Sequence, residues 1–385
     1  MRFVHTSDLH IGKTVHGFSM LDDQRYILEQ IAGIIADEEA DGLIIAGDVY
    51  DRNVPPEAAV DLFDRFITGL SGTGCKIYVI AGNHDSAERL AFGHELLCKQ
   101  GVHITDTYSG KMERISGHDD RGDINIYLLP YIKPSIVRPF FPDMDIRTPD
   151  DAMSATIDAT DIDHAARNIL IAHQFIVGRG IELKTSESEE SVFTVGGVDC
   201  ISSNLLESFD YVALGHIHKP QHAGRTTVRY SGSPLKYSLS EAYDDKGVSV
   251  VDIADKGDIR VKHVSLTPKR DVREIRGTIE DLMSSDAYLQ GDTDDYIFAT
   301  VIGDTVDAKA KLNTVYPNIM DLRIEGEEYI GFDDSDMMDI GDIRMSTPID
   351  LFNVFFEKMN GHPMDGIQAK MLAEAMDEAD GVRHR

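Results

Sequence analysis

Residues 77–86 read IYVIAGNHDS. Ile77 to Ala81 form a short continuous apolar run, the pattern of a strand covered on both faces. Asn83, His84 and Asp85 stand where that strand ends, and such groups are costly to desolvate unless something compensates for them. The same arrangement recurs along the first 218 residues. Phe3 to His5 leads into SDLHIG with Asp8 and His10, and Leu43 to Ala46 (LIIA) into GDVYD with Asp48. Ile169 to Ala172 (ILIA) leads into His173, and Tyr211 to Leu214 (YVAL) into GHIH with His216 and His218. All five runs therefore end in a metal-capable side chain.

Helical patterns lie between the runs. Residues 24–39 place Tyr26, Ile27, Ile31, Ile34 and Ile35 on one face, and residues 56–70 do so with Val60, Phe63, Phe66, Ile67 and Leu70 behind Pro56. Alternation of strands and helices predicts an α/β layered domain with right-handed crossovers. In such sheets ligands sit beyond the carboxyl ends of the strands, so the five polar tips are expected to converge. A lone histidine is more often a hydrogen-bonded core or surface residue than a ligand, but recurrence at every strand end argues against that for the set.

Two carboxylates (Asp8, Asp48), four imidazoles (His10, His173, His216, His218) and one amide oxygen (Asn83) are too many donors for one ion. They suit two ions sharing a bridging aspartate. Mixed oxygen and imidazole donors suit Mn²⁺ or Fe²⁺, with Zn²⁺ or Co²⁺ as substitutes. Two divalent ions set against only two carboxylates leave a positive site that attracts a phosphate ester, which explains why position 83 is a neutral asparagine. Two such ions clamp a phosphoryl group and stabilise an in-line displacement, but they supply no proton to the leaving oxygen. His84 is the candidate general acid. Asp85 is expected to orient its imidazole and raise its pKa, or to cap a helix over 87–97.

The charge of −30 repels phosphate backbones, which excludes a protein that holds nucleic acid by surface electrostatics alone. Cys75, Cys98 and Cys200 are far apart and offer neither a disulfide framework nor a thiolate zinc site. No apolar stretch is long enough to span a membrane, and the expectation is a soluble, cytoplasmic protein.

Polar stretches at 117–124, 147–163 and 182–191 read as surface loops. The expected organisation is a phosphoesterase domain over 1–266, a small α/β domain over 267–331, an acidic linker over 332–343 and a helical tail over 344–385. In the tail, Thr347 and Pro348 start one apolar stripe (Leu351, Phe352, Phe355, Phe356, Met359), and Ile367, Met371, Leu372 and Met376 form another. Packing back on the preceding domain and docking on a partner are both open readings of these stripes.

The ordered set DLHIG, GDVYD, GNHD, IAH and GHIH resembles the calcineurin-like metallophosphoesterases. The phrases LLPYIKP (128–134) and YSGSPLKYS (230–238), with the second domain and tail, resemble the bacterial SbcD type. The resemblance implies mixed β-sheets flanked by helices, two Mn²⁺ ions and nuclease activity in DNA repair, recombination and replication. It implies one ion on Asp8, His10, Asp48 and His218, the other on Asp48, Asn83, His173 and His216, and His84 as the catalytic histidine. It implies that 267–331 caps the site and that the tail helices bind the SMC-like ATPase SbcC. A homodimer within a heterotetramer is implied too, joined through helices at about 56–70 and 87–98. The chain departs from archaeal and eukaryotic relatives in carrying Asp51 where they have a histidine. Asp51-Arg52 resembles instead the GDxxDRG phrase of protein phosphatases, which keeps a phosphomonoesterase or cyclic-nucleotide phosphodiesterase as the alternative. A non-enzymatic scaffold is the third reading, disfavoured by the intact ligand set.

Overall fold

The computed structural model of the chain describes residues 1–181, 183–189, 200–284, 291–303, 307–325 and 368. Met1–Glu325 form one compact unit. The linker and tail expected over 332–385 lie outside the described residues, Gln368 excepted.

All five apolar runs are strands: β1 (Arg2–Thr6), β2 (Gly42–Ala46), β3 (Lys76–Ile80), β7 (Arg167–His173) and β8 (Tyr211–Gly215). Between them come α1 (Leu21–Asp37), α2 (Glu57–Ser71), β4 (Val102–Ile104), β5 (Glu113–Asp119), β6 (Gly122–Leu129) and α3 (Pro149–Asp158). After them come β9 (Gln221–His222), β10 (Val228–Tyr230), β11 (Gly247–Ile253) and β12 (Ile259–Ser265).

Two six-stranded mixed sheets result, ordered β12-β11-β1-β2-β3-β4 and β9-β10-β8-β7-β6-β5. β1 through β4 run parallel, as do β6, β7, β8 and β10, with antiparallel strands at the edges. The sheets face each other through Ile44, Ala46, Tyr78 and Ile80 on one side and Ile126, Leu128, Ile169 and Ile171 on the other. Alternate residues of the same strands, Leu43, Ile45, Ile77 and Val79, turn outward under Ile27, Ile31, Phe63, Phe66 and Ile67 of α1 and α2. The second sheet is covered likewise, Leu170, Ala172 and Val212 packing with Met153 and Ala155 of α3. Burial on both faces is why these strands read as unbroken apolar runs. Cutting one of these aliphatic side chains back to alanine costs about 2–5 kcal/mol.

From Val272 the chain builds a separate parallel sheet, β13 (Val272–Gly277), β14 (Tyr296–Ile302) and β15 (Ile319–Glu325). One face packs on its own short helices through Leu282, Leu312 and Tyr316. The other joins the main core through Val272, Tyr296, Phe298 and Met320. Buried Asp23 ties the two together, accepting from Arg270 Nη1 at 2.7 Å and from the Tyr296 hydroxyl at 2.8 Å.

Several expectations differ from the structure. The stretch 117–124 is no loop but the paired tip of the β5–β6 hairpin, with only 120–121 in the turn, and β5 is largely exposed and so carries little apolar signal. The stretch 147–163 contains α3, started by a Thr148–Asp151 capping box with Pro149 behind it. The single helix expected over 87–97 is two short ones, Ala87–Leu90 and His94–Cys98, interrupted where Gly93 takes a φ of 77°. Tyr26 and Val60, expected on buried faces, are 40% and 44% exposed.

Candidate metal centre

The five strand tips meet at one place. β1 and β2 lie side by side, and beyond their ends Asp8 N donates to Gly47 O at 3.0 Å and His10 N to Asp48 O at 2.9 Å. Parallel pairing of β7 and β8 sets His173 against Gly215 and delivers His216 and His218 from the second sheet. Asp8, His10, Asp48 and His216 all adopt positive φ (53°, 44°, 51° and 98°). Strain of this kind in residues other than glycine is retained where surrounding structure holds a functional geometry.

Close glycine packing allows the tips to approach. A Cβ on Gly47 would fall 2.4 Å from His173 Nδ1, and one on Gly215 would fall 2.0 Å from Ala46 O. This is the physical reason for the glycine in AGD and LGH.

Asp8, His10, Asp48, His173, His216 and His218 are all buried. Ligand-capable atoms of Asp8, His10 and His218 lie within 4.8 Å of one another, as do those of Asp8, Asp48 and His173, and those of His10, Asp48 and His84. Asn83 Oδ1 stands 3.0 Å from both His173 Nε2 and His216 Nδ1. Asp48 Oδ2 is 3.3 Å from His173 Nε2 and 3.7 Å from His10 Nε2, so it faces both groups of donors. The structure thus brings together all seven residues expected to hold metal.

The donor chemistry fits divalent cations. His173 Nδ1 lies 2.8 Å from Ala46 O, and a carbonyl only accepts, so Nδ1 carries the hydrogen. Neutral His173 then points an Nε2 lone pair at Asn83 Oδ1, an unfavourable contact unless a proton or a cation lies between them. Burial alone depresses the His173 imidazole, but the Asp48 charge outweighs it and holds the group up to about 9. Asp48, although burial opposes its charge, is pulled well below the usual carboxylate range by His173, His10 and His84. Burial drives His216 down to about 3 and pushes Asp8 up. The residues compete for positive charge, which is what a cation-binding cage does.

His84 lies at the rim, with its side chain 20% exposed. Its Nδ1 meets Asp51 O at 3.1 Å, and its Nε2 lies 4.0 Å from Asp48 Oδ2. Asp85 has a different part from the expected one. Its carboxylate accepts from the backbone N–H groups of Val49 (3.1 Å), Tyr50 (2.9 Å) and Gly82 (2.9 Å), locking the segments after β2 and β3 together. Burial, then the Asp48 charge, pushes its carboxyl up to about 6. The imidazole of His84 is held instead by the Asp51 carbonyl.

Asp51 contributes more than the sequence revealed. Its carboxylate takes Lys13 Nζ at 2.8 Å and lies 3.7 Å from His10 Nδ1. The ring of Tyr131 stacks on His216 at 28° and 6.3 Å.

The profile of the family described as calcineurin-like phosphoesterase matches residues 1–220. The chain is 31% identical over 376 residues to the D subunit of the nuclease SbcCD from Staphylococcus epidermidis, covering 97% of each protein. Among solved structures it is similar to a dimetal phosphatase from Danio rerio, with 10% identity and a TM-score of 0.40 over 69% of this chain and 96% of that one. It is similar also to a protein from Thermus thermophilus, with 14% identity and a TM-score of 0.39 over 68% and 98%.

Proposed function

The chain belongs to the calcineurin-like phosphoesterase family, and from that premise we propose that it is the nuclease subunit of an ATP-dependent double-strand DNA exonuclease and single-strand or hairpin endonuclease complex. The observation that carries the proposal is the position of Asp48 between two groups of donors supplied by five separate strand tips. The similarity to the D subunit of the nuclease SbcCD, which spans 97% of the chain, narrows phosphoesterase to nuclease.

Asp8, His10, Asp48 and His218 would hold one divalent cation and Asp48, Asn83, His173 and His216 the other, Mn²⁺ being the ion best suited. Bound there, such cations supply Lewis acidity toward a phosphoryl group and an attacking water. Neutral Asn83 keeps the site positive toward a phosphodiester. His84 acts as general acid: the Asp51 carbonyl fixes its Nδ1–H, which leaves Nε2 as the nitrogen that gains and gives up the proton. Asp85 is a positioning residue that holds His84 and Asn83 in place through the backbone around them.

The small domain over 267–331 caps the site in this reading. Its support is the contact of Phe298 with His16, rings 5.2 Å apart, in the segment that follows His10. Residues 344–385 would dock on the ATPase SbcC, whose engagement of DNA compensates for this chain's charge of −30. Phe92 and Leu96, 87% and 70% exposed, supply an apolar surface for a homodimer.

A second reading, phosphomonoesterase or cyclic-nucleotide phosphodiesterase, draws on Arg52, whose largely exposed guanidinium lies 3.6 Å from Asp51 beside the centre. Hydrolysis of a simple phosphodiester, a phosphomonoester and linear duplex DNA with Mn²⁺, with and without SbcC and ATP, separates the two. The nuclease reading predicts diester over monoester, and duplex degradation only with SbcC and ATP. Preference for the monoester would overturn it.

A further inference from the structure

Behind His218 lies a polar cluster not used by the chemistry above. Glu241 is fully buried in the turn that follows YSGSPLKYS. Its Oε2 pairs with Lys246 Nζ at 2.6 Å and accepts from Ser233 Oγ at 3.3 Å. Its Oε1 accepts from Ser238 Oγ at 3.0 Å, from Tyr237 N at 3.3 Å and from the hydroxyl of Ser188. Lys246, itself buried, also donates to His218 O at 2.8 Å. Ser188 Oγ in turn lies 2.7 Å from His218 Nδ1.

Donor and acceptor roles in this chain have one consistent solution. A carboxylate paired with an ammonium only accepts, so the single hydroxyl hydrogen of Ser188 goes to Glu241 Oε1. Ser186 Oγ, 3.1 Å from Ser188 Oγ, directs its own hydrogen to Glu189 Oε1 at 3.0 Å. Ser188 Oγ then meets His218 Nδ1 as an acceptor, so Nδ1 bears the hydrogen and, in the neutral ring that ligates a cation, Nε2 does not. That unprotonated Nε2 is 3.1 Å from His10 Nε2, in the group formed with Asp8.

We propose that Glu241 is a positioning residue which, through the Ser188 hydroxyl, holds His218 in the one tautomer able to ligate a cation. The proposal rests on the reading of His218 as a ligand. It explains why a carboxylate, a lysine and two serines, Ser233 and Ser238, are buried together behind the centre. It also gives YSGSPLKYS a purpose, since Ser233, Tyr237 and Ser238 all hold Glu241. Carboxylates that orient a ligating histidine raise its basicity and fix its ring, and losing one typically weakens metal binding by about 10–100-fold.

The substitution that tests this is Glu241→Gln. Lys246 keeps the amide oxygen on its own side, so the amide NH₂ faces Ser188 and reverses the chain: Ser188 now donates to His218 Nδ1, and Nε2 acquires the hydrogen. The readout is ring ¹⁵N spectroscopy of histidine-labelled full-length protein treated with chelator, His218 being assigned by its loss in His218→Gln. Wild type is expected to show the Nδ1–H tautomer at His218 and E241Q the Nε2–H tautomer. Mn²⁺ titration of folded E241Q is expected to show at least one of two sites weakened by about 10–100-fold. An Nε2–H tautomer in wild type overturns the proposal without recourse to any variant. Wild-type affinity at both sites in folded E241Q overturns it as well. Failure of wild type to bind two ions would instead count against the metal-centre reading, so the two failures are distinguishable.

Discussion

Gly82 lies so close to Asp48 that a Cβ added to it would fall 2.1 Å from Asp48 Oδ1 and 2.5 Å from the Asp48 backbone nitrogen. No rotamer relieves a clash with backbone, so Gly82→Ala must push the segment after β3 away from the one after β2. We expect G82A to lose Mn²⁺ binding at the pair of sites and at least about 100-fold in diester hydrolysis, as a misplacement near 1 Å does. Gly33, on the exposed side of α1 with nothing within 4 Å of its added Cβ, is the matched control. G33A should keep full activity and gain about 0.5–1 kcal/mol in urea unfolding. An active, metal-replete G82A would show that the two tips are not held in register by this contact.

His84 separates acid from ligand. Its Nδ1 is bound to Asp51 O, and its Nε2 is farther from Asp48 Oδ2 (4.0 Å) than the corresponding atom of His173 (3.3 Å). His84→Gln should leave the Mn²⁺ stoichiometry unchanged and lower kcat by about 10²–10⁴-fold. The loss should shrink for a diester whose leaving group needs no proton, such as a nitrophenolate. Loss of a metal ion in H84Q would make His84 a ligand.

The strand-end motifs were legible because burial on both faces leaves an unbroken apolar run, and the polar residue after it marks the tip. Where burial is one-sided the signal failed. β5 has exposed residues on most of its length, and its hairpin read as a loop. α3 starts with Thr148-Pro149, the same signal read as a helix start at Thr347-Pro348, but its apolar stripe of Ala152, Met153 and Ala155 is short and small. Asp85 looked like the partner of His84 because the two are adjacent in sequence. Adjacent residues after a strand end need not face each other, and the three backbone N–H donors around Asp85 come from two different tips. Ser188 and Glu241 could not be found by any strand-end rule, since neither follows a strand that delivers a ligand.

Acid stability should report on Arg167, a fully buried guanidinium whose charge is met by Asp119. The hydrogen bond from Arg167 holds the Asp119 carboxyl down at about 2, against an ordinary value of 3.8. A carboxyl depressed on folding stabilises above its unfolded pKa and loses that contribution as pH falls toward the folded one. Asp119→Asn should therefore be less stable than wild type by about 2 kcal/mol at pH 6, the free energy that corresponds to the lowering of the carboxyl on folding. Urea midpoints should show that gap narrowing between about pH 4 and pH 2. A gap independent of pH would mean that the charge of Asp119 contributes nothing.

Phe92 and Leu96 test the proposed homodimer. Apolar side chains 87% and 70% exposed are the kind of surface that association covers. Sedimentation of the full chain should give a dimer, and F92E with L96E should give a monomer that still hydrolyses a small diester in Mn²⁺. A monomeric wild type, or a dimer unaffected by both substitutions, would contradict the assignment.

The two-ion mechanism depends above all on the number of ions the strand tips hold. Purified full-length protein, stripped with chelator and titrated with Mn²⁺, should bind two ions per chain, and Asp48→Asn should weaken both because Asp48 faces both groups of donors. One ion or none in wild type, or an Asp48→Asn variant that binds both as tightly, would contradict it.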